Sequence, residues 1–469
     1  MNYTKKFNFN DLVEIDWTKS PFVYILFLTF LATRVPLLNL GYGKDPDAWR
    51  TAVSSYLLKN YNIYHTSRLP GYQLPEFVNS LYINYGWIAT NSVTMILSFL
   101  SVFFFAKIIT YLKVKNKGIL TITYAFMPIL WINSTNTMDY MWGLSLLIIS
   151  CYLLIKEQYL LSGVMMGLAI SCRVPLVVFL LPINYLMWEN TKNIKEIIRL
   201  DLVAGIVSTA IYAPIWTEFG LGFLTYVSTS FTFIRYIETF GYLVYSGFGV
   251  LPIIICLIGF FFSAKKLVTQ VINKDKYTIF LLLSIVPTIA LYIKVPYEAE
   301  YLIPAIPFGL ILVEKLYSSK LFALLCIFLL LNSIITVGAV SIDNNMDLKF
   351  KIIDEGMIKK DYDDRIYQMQ YSEQIRNAKI NHSAVIIYTY LPVVQYLNLK
   401  SGKNYTKGGY FDTEKDVGYF YLPSFEELKE LQKKGYTIYY GGTIEKRIES
   451  QIGYDMKLFG GLPIETVFI

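Results

Sequence analysis

The sequence predicts a polytopic α-helical membrane protein with about 11 transmembrane helices, followed by a small C-terminal α/β domain outside the cytoplasm. Three observations carry this expectation. Of 469 residues, 54% are hydrophobic and only 16% charged, and the mean hydropathy is +0.43, well above that of an ordinary soluble domain. Apolar runs near the roughly 20 residues that a bilayer demands recur along the first 341 positions. Lysine and arginine gather in every second loop between these runs, as they do in short cytoplasmic loops.

Taken in order, the apolar runs fall at about 21–40, 86–112, 118–137, 140–155, 159–173, 174–188, 201–218, 247–264, 277–294, 299–315 and 320–341, after a short N-terminal segment, 1–20. If that segment is cytoplasmic, the same side receives Lys5, Lys6 and Lys19, then Lys113, Lys115 and Lys117, then Lys156. It also receives Lys192, Lys195 and Arg199, then Lys265, Lys266, Lys274 and Lys276, and finally Lys315 and Lys320. An odd number of spans then puts the C-terminal region on the extracytoplasmic side. The expected location is the cell membrane, with multiple passes. The first apolar run is too long for a cleavable signal peptide and has no small-residue cleavage site behind it.

Composition also excludes several classes. The formal charge is +7, but the basic residues are scattered in short groups that fit topology, so no nucleic-acid partner is expected. Cys151, Cys172, Cys256 and Cys326 each lie inside an apolar run, which supports neither a disulfide framework nor a zinc site. His65 and His382, the only histidines, read as ordinary surface residues. Two external stretches, 41–85 and 219–246, mix aromatic and polar residues as interfacial segments do. The 39 tyrosines fit an aromatic belt at that depth.

Past position 341 the composition shifts. A charged helical connector is expected over 342–379 and an α/β domain over 380–469. Within the latter, Ser424 and Glu427 fit a capping box, "KKG" a helix stop and "YTIYY" a strand. No Gly-rich phosphate loop accompanies these elements, so a supporting or acceptor-binding role is expected.

The chemistry concentrates in "GYGKDPDAWR", directly after the first span. Asp45 as N-cap, Pro46 at the first helical position and Asp47 in the first turn make a helix start favoured by the helix dipole. Capping needs only one acid. A carboxylate at the edge of a low-dielectric cavity also has the tunable pKa of a general base, and Lys44, Arg50, Arg68 and Glu76 follow within the same external loop.

The order of these motifs resembles the GT-C class of integral-membrane glycosyltransferases, the protein O-mannosyltransferase and aminoarabinose transferase group (glycosyltransferase family 39-like). The resemblance rests on the acidic first loop, "SRLPGYQLPE", "STNTMDY", "GLAISCRVPLVVFLLP" and "YEAEYLIPAIPF", and covers about 300 residues. It departs from the group in two places. Asp45-Pro46-Asp47 stands where an Asp-Glu pair is usual, and Glu298 and Glu300 stand where a basic residue is common.

The resemblance implies a GT-C-like fold and inverting transfer of a sugar from a polyprenyl-phosphate-linked donor to a protein, lipid or glycan acceptor on the extracytoplasmic face. Such a transfer needs a base for the acceptor hydroxyl and cations for the departing phosphate. Asp45 and Asp47 are the candidate bases, and the sequence does not separate them. Candidate substrate-binding residues are Lys44, Arg50, Arg68, Glu76, Asp139, Arg173, Arg235, Lys294 and Glu300, with Arg34 as a further cation within a span. Arg235 has Glu238 at i,i+3 and Lys294 has Glu298 nearby, pairings that would occupy both. No cofactor is required by the pattern, although the external acids leave a divalent cation open. A flippase or transporter of a lipid-linked anionic sugar, or a glycan polymerase or ligase, are the competing readings. The sequence has no internal repeat or matched broken helices to favour a transporter.

Overall fold

The computed structural model describes residues 14–220, 243–342, 348–400, 405–406, 409–442 and 452–464, with the single residues 236, 241 and 449. Helices dominate the first two thirds. They run α1 Phe22–Arg34, α2 Pro46–Tyr61, α3 Gln73–Ser80, α4 Trp87–Tyr111, α5 Lys117–Phe126, α6 Pro128–Asn133, α7 Tyr140–Ile155 and α8 Tyr159–Cys172. They continue with α9 Leu180–Thr191, α10 Ile194–Phe219, α11 Val250–Ile272, α12 Lys276–Lys294, α13 Ile306–Leu316 and α14 Ser319–Leu331.

Four of these, α4, α10, α11 and α12, are long and apolar enough to cross a membrane. Shorter apolar helices cover Phe22–Leu37, Tyr140–Ile155, Tyr159–Cys172 and Ser319–Leu331. Several of the predicted runs are not single long helices, and proline accounts for it. The run 118–137 is split at Met127-Pro128, where Met127 is extended (ψ 144°). The run 174–188 opens as a 3-10 turn, Val174–Phe179, with Pro175 near its start, and 299–315 opens as another, Ala299–Ala305, containing Pro304. Much of α11 is bare: Phe261 and Phe262 are 78% and 76% exposed. An apolar surface of that kind is stable against lipid and costly in water.

The last predicted span, 320–341, is corrected. Helix α14 stops at Leu331, and Ile335–Ile342 is strand β1, paired antiparallel with β2, Leu348–Glu355. Its β-branched content favours the extended backbone. The connector is accordingly half of this hairpin followed by helix α15, Met357–Asn377.

The C-terminal region is a mixed sheet. Its strands are β3 Ser383–Ile387, β4 Tyr405–Thr406, β5 Gly409–Asp412, β6 Val417–Phe420, β7 Thr437–Gly441 and β8 Gly460–Gly461, in spatial order β4-β5-β6-β3-β7-β8. The central β3 runs parallel to β6 and β7 and is buried at all five positions. Its pleat sends Val385 and Ile387 to a core with Ile375 of α15, and Ala384 and Ile386 to one with Leu428 of the helix Phe425–Lys433. Ser424 and Glu427 form the reciprocal capping box at the start of that helix.

The two regions share a core. The helix Leu391–Lys400 contributes Val393, Tyr396 and Leu399 to the same apolar cluster as Trp49 of α2 and Phe30 of α1. Within the helical part, α8 crosses α10 at Gly163 and Gly167. A Cβ on Gly163 would lie 2.8 Å from the carbonyl oxygen of Leu200, and one on Gly167 would lie 2.7 Å from that of Ala204. Close backbone approach of this kind is the small-residue packing of membrane helices. Gly167→Leu is therefore expected to lower the thermal midpoint by the equivalent of about 1–3 kcal/mol. Gly205→Leu, where a Cβ meets nothing within 4 Å, should leave it unchanged.

Candidate active site

Between α1 and α2 the chain is pinned through its own carbonyls. Asn91 Nδ2 donates to the carbonyls of Leu38 (3.0 Å) and Gly41 (2.8 Å), Trp49 Nε1 to Gly43 (3.0 Å), and the Thr137 amide to Tyr42 (2.7 Å). Arg365 of α15, fully buried, adds bonds to Leu40 (3.0 Å), Gly41 (3.2 Å) and Thr135 (3.2 Å). Gly41 has φ +74°, and a Cβ there would sit 2.7 Å from the Trp49 ring, so this turn needs glycine. These contacts hold the segment that ends in Asp45.

Asp45 caps α2, with Oδ1 accepting from the Asp47 amide at 2.8 Å and Pro46 behind it. Beyond this cap Asp45 makes no ion pair among the described residues. Asp47 differs: it meets Arg50 at 2.9 Å and Arg68 at 2.9 Å. Arg68 in turn reaches Asp139 at 2.7 Å, and Asp139 reaches Arg173 at 2.6 Å. The result is an alternating row of charges, Arg50, Asp47, Arg68, Asp139 and Arg173, with Asp139 only 2% exposed. Aromatic faces support its cations. The Arg68 guanidinium lies 3.8 Å from the Tyr72 ring centre, and that of Arg173 lies 4.2 Å from Tyr140 and 5.2 Å from Tyr301. The buried Arg68 Nη1 has no acceptor among the described residues.

Beside the row stands one further acid. Glu298, just before the Ala299–Ala305 turn, accepts a hydrogen bond from the Tyr140 hydroxyl. Oxygen atoms of Asp45, Asp47 and Glu298 all lie within 4.8 Å of one another. Burial, with the Glu298 and Asp47 charges next, pushes Asp45 well above the usual carboxylate range. Burial and the Glu300 and Asp47 charges push Glu298 up to about 7.

The structure sorts the sequence candidates. Asp45, Asp47, Arg50, Arg68, Asp139 and Arg173 come together, and Glu300 lies near them, its charge adding to burial in raising the pKa of Glu298. Glu76 is buried apart from the row and ties down the loop, accepting from Tyr64 Oη at 2.5 Å and the Ser67 amide at 2.9 Å. Lys44 is exposed and paired with Asp364 of α15. Lys294 is an exposed residue at the end of α12 outside the row, and Glu298 bonds Tyr140 instead. Arg34 is fully buried, donating to Ser134 Oγ at 3.1 Å and to the Ala125 carbonyl between the rings of Phe30, Phe126 and Trp131, which makes it structural. Arg235 and Glu238 lie outside the described residues, as does most of the predicted loop 219–246. Sequence reasoning did not assign Glu298, Tyr140, Tyr72, Tyr301 or Arg365 to the site. Tyr140 carried a local signal in its position next to Asp139, and Glu298 in its place within "YEAEYLIPAIPF".

No protein-family model matches the chain, and no curated protein matches it. Two solved structures are similar in part. One is the crystal structure of ArnT from Cupriavidus metallidurans in the apo state, with 14% identity over 65% of this chain and 61% of that one and a TM-score of 0.47. The other is ArnT from the same organism bound to undecaprenyl phosphate, with 14% identity over 65% and 62% and a TM-score of 0.41. The chain thus spans about three fifths of the length of these structures. At this identity and TM-score the likeness carries no argument about group or chemistry.

In chemical terms the site sets a carboxylate with no ion pair among the described residues beside a row of guanidinium groups. The first can take a proton, and the second can hold an anion.

Proposed function

We propose that the chain is a multi-pass membrane glycosyltransferase that moves a sugar from a polyprenyl-phosphate-linked donor to an acceptor hydroxyl on the extracytoplasmic face, with inversion. The observation that carries this reading is the division of labour between the two aspartates of α2. Asp47 is committed to two guanidinium groups, whereas Asp45 makes no ion pair among the described residues and is pushed towards basicity by burial and like charge, against a smaller opposing pull from Arg68. Asp45 is therefore the base. The acceptor oxygen attacks the anomeric carbon as its proton passes to Asp45. The bond from that carbon to the donor's phosphate oxygen breaks, and the electron pair leaves with the phosphate. Arg68, through its unpaired Nη1, and Arg173 receive the charge that develops there. The test is sugar release from polyprenyl-phosphate donors by purified protein. No transfer from any donor, with donor binding intact, would overturn the reading in favour of a transporter.

Glu298 tunes the base. Transfer requires ionised Asp45, so activity is expected to rise with pH and to fall as the acidic pair takes up protons, with Glu298 titrating at about 7. Glu298→Gln removes a neighbouring negative charge, which lowers the Asp45 pKa and should move the acid limb of kcat/KM to lower pH. The sign for stability is opposite. Both acids titrate higher folded than unfolded, so their contribution falls as pH rises from the ordinary carboxylate range through about 7. An acid limb unmoved by Glu298→Gln would remove Glu298 from this role.

Asp45, Asp47 and Glu298 are also a hard-oxygen donor set that could hold a divalent cation. Bound there, such a cation would neutralise the acids and polarise a phosphate. Because Asp47 already serves two guanidinium groups, a proton on Glu298, which titrates at about 7, is the neutralising charge we favour. Protein dialysed against EDTA is expected to keep its transfer rate within about twofold. A loss restored by Mg²⁺ or Mn²⁺ would assign the trio to a metal.

A further inference from the structure

The acidic cluster occupies one end of the helix bundle, and a cavity of about 500 Å³ occupies the other. Two helices fix that geometry. Helix α7 begins beside Asp139 and ends at Ile155, which lines the cavity, while α12 begins near Tyr277 and Phe280 of the cavity and ends close to Glu298. At 1.5 Å per residue these helices are roughly 24 and 28 Å long, about the thickness of a bilayer's hydrocarbon core. The cavity thus opens on the face opposite the candidate active site, where alternate basic loops place the cytoplasm.

Its walls and mouth differ in character. Phe105, Ile148, Phe308 and Ile311 line the interior and are apolar. Lys113, Lys115, Lys266 and Lys315 stand at the mouth. Two of these are already engaged. Lys315 pairs with Asp275, and Lys266 donates to the carbonyls of Lys315 (2.6 Å) and Leu316 (3.1 Å) at the end of α13. The lining carboxylate Glu314 is also engaged, accepting from Asn116 Nδ2 at 2.9 Å. Lys113 and Lys115 are exposed and have no carboxylate partner among the described residues.

We infer that this cavity binds an anionic membrane phospholipid, with an acyl chain among the apolar walls and the phosphate head group at Lys113 and Lys115. The volume falls within the roughly 300–1,000 Å³ of small-ligand sites. Basic pockets between membrane helices on the cytoplasmic side have the charge complementarity that anionic head groups need. Neither walls nor mouth alone would select such a ligand: the apolar interior excludes a free anion, and the lysines discriminate against a zwitterion.

The experiment titrates dioctanoyl phosphatidylglycerol into the purified full-length chain in neutral detergent and follows the thermal midpoint and native mass spectrum. The expected result is saturable stabilisation with a bound lipid mass. Dioctanoyl phosphatidylcholine and glycerol 3-phosphate should each be at least about tenfold weaker, one lacking net charge and the other the chain. Lys113→Gln/Lys115→Gln should weaken phosphatidylglycerol about tenfold, and Lys192→Gln/Lys195→Gln, on a basic loop outside the cavity, should not. Equal loss in both double variants would reduce the effect to diffuse surface attraction and overturn the site. Equal binding of phosphatidylcholine or glycerol 3-phosphate would do the same. Binding of farnesyl phosphate with exclusion of phosphatidylglycerol would overturn the phospholipid assignment.

Discussion

Asp45→Asn is expected to lower the turnover of sugar transfer by roughly 10²–10⁴-fold, the span a general base contributes, while donor binding and thermal midpoint stay near wild type. The substitution is informative because asparagine caps a helix about as well as aspartate. The oxygen that accepts the Asp47 amide at 2.8 Å is kept, and both ion pairs of Asp47 are untouched. Only the proton acceptor is lost. Asp47→Asn should behave differently. It weakens the pairs to Arg50 and Arg68, so its effect should fall on the donor KM and on stability as much as on turnover. If Asp47→Asn proves the more severe in turnover, or Asp45→Asn stays active, the assignment of the base is wrong.

The start of α2 was legible in the sequence because everything needed for it is local. An acid, a proline and a second acid within three positions specify a cap and a first turn wherever the segment lies. The capping box at Ser424 and Glu427 was legible for the same reason. Hydropathy was less reliable for the run 320–341, since an apolar β-branched segment of span length reads alike as buried helix or strand. Only its docking as a hairpin distinguishes the two.

The site was legible in its parts and not in its connections. Asp45, Asp47 and Arg68 could be singled out as charges in the external loop after the first apolar run, and Asp139 and Arg173 as charges at the ends of later runs. That they form one alternating row could not, because Arg68 meets Asp139 across 71 positions. Tyr140 meets Glu298 across 158 positions, and Arg365 reaches back 325 to Leu40. Contacts of that range are set by how helices pack and leave no periodicity in the chain. Arg34 shows the converse: an arginine at a span end looks like an anion site until three aromatic rings and a carbonyl are found around it.

Asp139→Asn is expected to be the most damaging single change to the row. Its two oxygens serve two guanidinium groups, one to Arg68 at 2.7 Å and one to Arg173 at 2.6 Å, and its side chain is 2% exposed. Arg68 would retain Asp47, but Arg173 would be left buried with no carboxylate partner among the described residues. Breaking a buried pair in this way typically costs about 3–5 kcal/mol, most of it the desolvation of the orphaned charge. The thermal midpoint should fall, and the donor KM should rise as Arg173 loses its anchor. Asp139→Asn/Arg173→Gln removes the orphan, so the double variant should recover much of the stability without recovering transfer, because a phosphate-binding cation is then missing. That split separates a structural pair from a functional one. Recovery of stability and transfer together would show that the row only holds the fold, and that the departing phosphate is met elsewhere.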